Sequence, residues 1–239
     1  MPMNHSIKTD AWIKQVTEAN PIRIGADGSL LTCPVRLHYP NLFRPAPPLR
    51  GEVPDPNKPG KFGATFLFPP GVEGQINTVL GPVLMNAARA AFPKNFDPAT
   101  GEVSGLHFPL RNQADKIEHQ GFTRGALFFN ATSKFAPLVV DTGMNDVTDE
   151  NLVYPGMWVI AAVNAYTFND PRKKGVSLGL KMVMLLTGDT RLKSAGADPS
   201  KAFEGVKIDS SFSVDDAFGA GQQTGGYVKQ ETNGTGGLW

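Results

Sequence analysis

Tyr166 and Phe168 sit two residues apart, just ahead of three adjacent cations, Arg172, Lys173 and Lys174. On an extended chain, residues at that spacing share one face, where each ring can stack on a planar base. The cations beside them can neutralise phosphates, an attraction that weakens as salt rises. Rings and cations recur together elsewhere: Arg36 with Tyr39, Phe43 and Arg44; Lys58 and Lys61 with Phe62; Arg124 with Phe129 and Lys134. Lys181 adds one more cation downstream. The ordinary alternative is that strand aromatics fill a core and basic turns are merely solvated.

Other chemistry fails on spacing. Gly175–Gly179, GVSLG, matches the nucleophile-elbow pattern. That motif needs a strand, a sharp turn and a helix, with its histidine later in the chain. Here Ser177 lies inside an alternating run, and the last histidine, His119, precedes it. His5, His38, His107 and His119 are scattered, without metal-ligand spacing to Cys33 or a carboxylate. Asp146, Asp149 and Glu150 read better as a solvated turn or helix start, where acidic residues are favoured. KPGKFG lacks the Walker spacing and the hydroxyl after its lysine. No enzyme motif, metal site or cofactor site is expected.

The element that must position the candidate rings is a long hairpin over residues 153–187. Its first run puts Val159, Ala161, Val163 and Ala165 on one face and Trp158, Ile160, Asn164, Tyr166 and Phe168 on the other. Its second run puts Val176, Leu178, Leu180, Met182 and Met184 on a continuous apolar face, opposite Ser177, Gly179 and Lys181. NDPRKKG between the runs supplies turn chemistry. Val176, Leu178 and Leu180 are therefore expected in the core.

Upstream, residues 1–29 read as an irregular or weakly helical arm. Residues 30–39 alternate as a strand, with Pro34 marking an edge or bulge. The Pro-rich stretch 40–59 reads as a long loop of the kind that is usually functional or disordered. In 61–68, Phe62, Ala64, Phe66 and Phe68 share a face, and at least one of these rings, Phe66 first, is expected to be structural. Apolar spacing over 72–92 predicts a helix, divided in two at Gly81-Pro82. Residues 93–123 are loop-rich, and 125–133 and 137–141 read as strands. From about 195, apolar density falls and Gly, Ser, Asp and Gln rise. The inventory is mainly β, with a helix inserted after the second strand, and fits a small, partly open barrel.

Composition sets the outer bounds. A 239-residue chain with 41% hydrophobic residues can build a real core. Its net charge of +1 hides a basic segment, 172–193, balanced by a mildly acidic tail. A single cysteine excludes an intramolecular disulfide, and no apolar run approaches a membrane span. A soluble, cytosolic protein is the default expectation.

Four stretches carry a resemblance: CPVRLHYPNLFRP (33–45), KFGATFLFP (61–69), GALFFNATSKFAPLVVD (125–141) and VYPGMWVIAAVNAYTFNDPRKKGVSLGLKMVMLLTGD (153–189). In this order they resemble the single-stranded DNA-binding proteins of tailed bacteriophages. The last is the most specific, with its YPG-x-W start, VN-x-Y-x-FN centre and KGVS-x-GL return. The resemblance implies an OB-fold-like, five-stranded, partly open barrel over 30–194, with extended loops. It implies sequence-tolerant binding of single-stranded DNA during phage replication or recombination, in the cytoplasm of the infected host, and no catalysis. It also implies a flexible tail, 195–239, that recruits replication or recombination proteins. The tail ends in Leu238-Trp239, but its acidic residues are sparse and Lys229 interrupts them.

The binding groove is then expected between the hairpin, the 61–68 strand and the Pro-rich loop. Tyr166, Phe168, Phe62 and Tyr39 are the candidate stacking residues. Arg172, Lys173, Lys174, Lys181, Arg36, Lys61, Arg124 and Lys134 are the candidate phosphate contacts, and Trp158 is the tryptophan expected nearest the bases. The rival readings are a phage structural protein that uses the barrel for assembly and an enzyme acting on nucleotides. The second lacks a convergent set of carboxylates or histidines.

Overall fold

The structure, a computed structural model, describes residues 8–47 and 60–192. The expected tail, Lys58 and most of the Pro-rich loop lie outside the described residues. The described elements run α1 (Asp10–Ala19), β1 (Arg23–Ile24), β2 (Leu30–Leu31), β3 (Val35–Asn41), β4 (Phe62–Leu67), α2 (Glu73–Gln75), α3 (Gly81–Ala91), β5 (Arg111–Asn112), β6 (Leu127–Ser133), β7 (Leu138–Val140), β8 (Trp158–Asp170) and β9 (Lys173–Thr187).

Five strands pair in a circuit. β3 runs antiparallel to β4, β4 to β6, β9 to β8, and β8 back to β3, while β6 and β9 run parallel. Two seams are short, Val35↔Val159 with Arg36↔Trp158 and Ala131↔Leu178 with Thr132↔Gly179. The sheet is therefore partly closed. β1 and β2 extend it from β8, β7 lies beside β9, and β5 beside β6. This is a mainly β, OB-fold-like arrangement with the helix after its second long strand.

Period 2 decides what fills the interior. Val35, Leu37, Phe66, Phe68, Phe129, Ala131, Val159, Ala161, Val163, Val176, Leu178 and Leu180 are all buried in one cluster. Leu84 and Ala88 of α3 belong to the same cluster. Phe129 stacks on Phe66 at 5.1 Å between ring centroids and meets Phe68 at 5.4 Å. Phe66 and Phe68 are thus both core residues.

Three local readings change. The expected division of the helix at Gly81-Pro82 is a π-helical turn, Ile76–Leu80, which runs directly into α3. The Gly81 N–H reaches back to the Ile76 carbonyl, and Pro82, with no N–H to place, occupies the first turn of α3. The arm read as irregular or weakly helical contains a regular helix, α1, capped by Thr9, whose hydroxyl accepts from the Trp12 N–H at 3.2 Å.

The third change is in β9. Its apolar face is not continuous: Ala162 pairs with Met182 but Val163 pairs with Leu180, so Lys181 is an extra, bulged residue. Beyond the bulge the facing reverses. Val183 and Leu185 are buried in the core, while Met182 is exposed on the outer side.

Candidate nucleic-acid interface

The outward face of the sheet has an open half and a covered half. On the open half, one row crosses all five strands of the circuit: Asn164↔Gly179, Gly179↔Thr132, Thr132↔Gly63 and Gly63↔Asn41. Residues paired across strands present their side chains to the same side. The row is therefore a low, polar floor with two glycines in it. Gly63 has no room for a side chain, since a Cβ there would lie 2.5 Å from the Ala131 carbonyl oxygen, and a Cβ on Gly179 would lie 2.6 Å from Asn164 Oδ1 and push that side chain away. In the adjoining row Tyr166 pairs with Ser177, and the Thr65 hydroxyl donates to Asn130 Oδ1 at 2.8 Å. Tyr166 is 37% exposed, a ring standing beside a floor of small and amide side chains.

The hairpin tip continues this face. Phe168 pairs with Gly175, half-buried, and the Lys173 ammonium stands 5.9 Å from the Phe168 ring centroid. Gly175 is needed because a Cβ there would collide with the His107 backbone. That loop is bonded to β9 by His107 N–H to the Lys174 carbonyl and Val176 N–H to the His107 carbonyl, both at 2.9 Å. Lys174 is anchored as well, donating to Asn95 Oδ1 at 2.9 Å and standing 5.9 Å from the Phe92 ring centroid. Arg172 and Lys173 are exposed, and neither forms an ion pair among the described residues.

The remaining candidates fall into separate places. Lys61 and Lys134 are both exposed and flank the Phe62↔Ser133 pair at one end of β4 and β6. Phe62 itself alternates with Gly63, on the side of Ala64 and Phe66, and is half-buried away from the Tyr166 face. Arg124 is exposed in the turn before β6, at the opposite end of that strand from Lys134. Lys181 Nζ lies 2.8 Å from Asp27 Oδ2, and this hydrogen bond holds the Asp27 carboxyl well below its usual range.

Arg36 and Tyr39 belong to the covered half. Arg36 donates to the carbonyls of Gly156 at 3.3 Å and Thr190 at 3.1 Å, with Asp189 at 3.8 Å. Asp189 Oδ2 also accepts from the indole N–H of Trp158 at 2.8 Å, and Trp158 is buried edge-on to Trp12. Tyr39 has φ of 45° and stacks on His38 at 3.9 Å, and its hydroxyl meets His119 Nδ1 at 3.0 Å. His38 is fully buried: Nδ1 accepts from the Tyr39 N–H at 3.0 Å and Nε2 faces the Gln120 carbonyl at 3.2 Å. Phe129, counted among the rings, is core, and Arg44 pairs with Glu150 at 2.6 Å.

The structure thus brings Tyr166, Phe168, Arg172 and Lys173 together, with Lys61 and Lys134 at the edge of the same face. Asn130 and Thr132 complete the floor and were missed from sequence. The signal was present in the alternation of N130-A131-T132, polar residues around a buried alanine. Among the described residues no three His, Cys, Asp or Glu could hold a metal ion, and no helix is long and apolar enough to cross a membrane.

A family model described as the single-stranded DNA-binding protein of Enterobacter phage Enc34 matches residues 29–213. A protein designated p50, from Acyrthosiphon pisum secondary endosymbiont phage 1, is 25% identical over 177 residues, 73% of this chain and 91% of that protein. The solved structure of the bacteriophage Enc34 protein in complex with single-stranded DNA is similar at a TM-score of 0.57 and 16% identity, covering 80% of this chain and 98% of that one. A C-terminal truncation of the Enc34 protein gives 0.55 and 16%, covering 70% and 90%. At these identities the structural likeness is one of fold.

Proposed function

Because this chain belongs to the family of the Enterobacter phage Enc34 single-stranded DNA-binding protein, we propose that it binds single-stranded DNA without sequence preference and without catalysing a reaction. It would coat and protect DNA strands during phage replication or recombination, in the cytoplasm of the infected host. The observation that carries this reading is the open face: a polar, glycine-floored row, an exposed Tyr166 beside it, and exposed tip cations with no carboxylate partner among the described residues. Rings accept any base because every base has a π-face, and the cations read only the backbone.

In this reading Tyr166 and Phe168 stack on bases, and Arg172, Lys173, Lys61 and Lys134 contact phosphates. Lys174 and Arg124 border the path, and Phe62, turned to the other side of β4, supports the path from behind rather than stacking. Lys181, Arg36 and Tyr39 contribute only if DNA displaces the partners they already hold. The division into an arm (1–29), a binding domain (30–194) and a tail (195–239) is part of the proposal. Recruitment of replication or recombination proteins by residues 195–239 is a further part of the proposal.

Two substitutions test the assignment, read by anisotropy of a labelled oligo-dT. Arg172→Ala with Lys173→Ala is expected to weaken binding and to flatten its dependence on log salt by about 0.7 for each lost phosphate contact. An unchanged slope would remove the tip from the site. Tyr166→Ala is expected to cost about 1–3 kcal/mol of binding, roughly fivefold to 150-fold, with the slope nearly intact. Binding unaffected by both changes would move the DNA site off this face, whereas no binding by the wild-type chain would favour the rival reading, a structural protein that uses this face for assembly.

A further inference from the structure

A second cationic position lies on the outward side of β6, away from the hairpin tip. Arg111 pairs in register with Phe128, and its guanidinium carbon stands 4.7 Å from the Phe128 ring centroid. The Lys116 ammonium stands 6.0 Å from the same centroid. Phe122 meets that ring edge-on at 5.2 Å, and Phe128 is buried. Neither Arg111 nor Lys116 forms an ion pair among the described residues. Of the nearby acids, Glu118 faces His119 Nε2 at 3.2 Å, and Asp115 is exposed without an ion pair among the described residues.

The two cations are held where they are. Gln113, between them in sequence and fully buried, donates through Nε2 to the carbonyls of Phe68 and Leu127, both at 2.8 Å. Its Oε1 accepts from the Thr123 N–H at 2.9 Å, and its own N–H donates to the Ala126 carbonyl at 2.9 Å. One buried amide thus fixes this turn to the ends of β4 and β6. Two positive groups close to one ring repel each other, and an anion near both would relieve that repulsion.

Phe128 lies two residues from Asn130 and four from Thr132 on the same side of β6. Two strand residues span about 6.6 Å, so this position continues the polar floor along the strand. Resting on the single-stranded DNA reading, we propose that Arg111 and Lys116 form a phosphate-binding position that extends the DNA path along β6 beyond the hairpin. Lys134 bounds that path at one end of β6 and this pair bounds it at the other.

The test is Arg111→Gln with Lys116→Gln in the full chain, which removes both charges and keeps side-chain stems over Phe128. Oligo-dT affinity is measured against salt together with the melting temperature. The expected result is several-fold weaker binding at low salt, a slope shallower by about 0.7 per phosphate lost, and an unchanged melting temperature. The exchange Arg111→Lys with Lys116→Arg, which keeps both charges, is expected to restore the slope. Wild-type affinity and slope in the double Gln variant would overturn the proposal and leave the pair as a cover for Phe128. If the double variant melts early, Lys116→Gln alone carries the same test, and an unchanged slope again overturns it. Failure of the wild-type chain to bind oligo-dT would instead overturn the reading on which this one rests.

Discussion

Phe129→Ala is expected to cost the fold about 3–5 kcal/mol, the range for truncating a buried phenylalanine in a core that cannot close over the gap. Phe129 has no exposed surface, and Phe66 and Phe68 both rest against its ring. The three rings come from β4 and its continuation and from β6, so the loss would loosen the strand pair that carries the polar floor. At 2–4 °C per kcal/mol for a chain of this size, the melting temperature should fall by roughly 10 °C. Thermal unfolding followed by circular dichroism reads this directly. A melting temperature within a degree or two of wild type, with DNA affinity lost, would mean that Phe129 faces the ligand and that β6 turns its Asn130 and Thr132 side to the core.

The second large effect is on acid stability. His38 is buried with both ring nitrogens engaged: Nδ1 accepts, so the proton sits on Nε2 toward the Gln120 carbonyl. That arrangement suits the neutral ring. Burial is the main cause that lowers its pKa to about 4, and His119, Arg36 and Lys116 add to it against the Gln120 carbonyl. The unfolded chain takes up this proton near 6.5, whereas the folded chain resists it until about 4. The contribution of His38 is therefore complete above pH 6.5 and is lost as pH falls towards 4. The slope should be about 1.4 kcal/mol per pH unit, for a total of about 3 kcal/mol.

Asp27, Asp97 and Asp141 have lowered pKa values, so their stabilisation is lost lower on the pH scale, as each carboxylate protonates. Urea unfolding at half-unit steps between pH 4 and 7 would separate the two ranges. In His38→Gln the slope between 4 and 6.5 should be nearly absent. An identical slope in that variant would assign the effect to another group.

The hairpin was legible where one side of a run is buried and the other is not, as over residues 176–180, so period 2 survives in the sequence. Over residues 158–163 both sides are buried. Asn164, Tyr166 and Phe168 fall on the outward side as that alternation predicts. The bulge at Lys181 was not legible, because residues 182–186 are apolar on both sides and only the partner register on β8 shows the reversal. Arg36, His38 and Trp158 also face outward by alternation, whereas Tyr39 alternates with Val35 and Leu37 and reaches the side of His38 through its left-handed backbone and the irregularity before Asn41. Their cover comes from residues far away in the chain: Asp189 and Thr190 for Arg36, His119 and Gln120 for Tyr39 and His38, and Trp12 and Asp189 for Trp158. Local pattern tells which side of a strand a residue faces. It does not tell whether a distant segment later covers that side. The circuit of strand pairs came from the resemblance rather than from spacing, since a two-pair parallel seam such as β6–β9 leaves no periodic trace.

The central claim is that the open face takes single-stranded DNA, and one measurement tests it most directly. A labelled oligo-dT and a duplex of matched length are titrated with the full chain by fluorescence anisotropy, from about 50 to 500 mM salt. Tight binding to oligo-dT, weaker binding to the duplex, and a linear fall of log affinity with log salt are expected. Absence of oligo-dT binding at the lowest salt, or equal preference for the duplex, would contradict that claim.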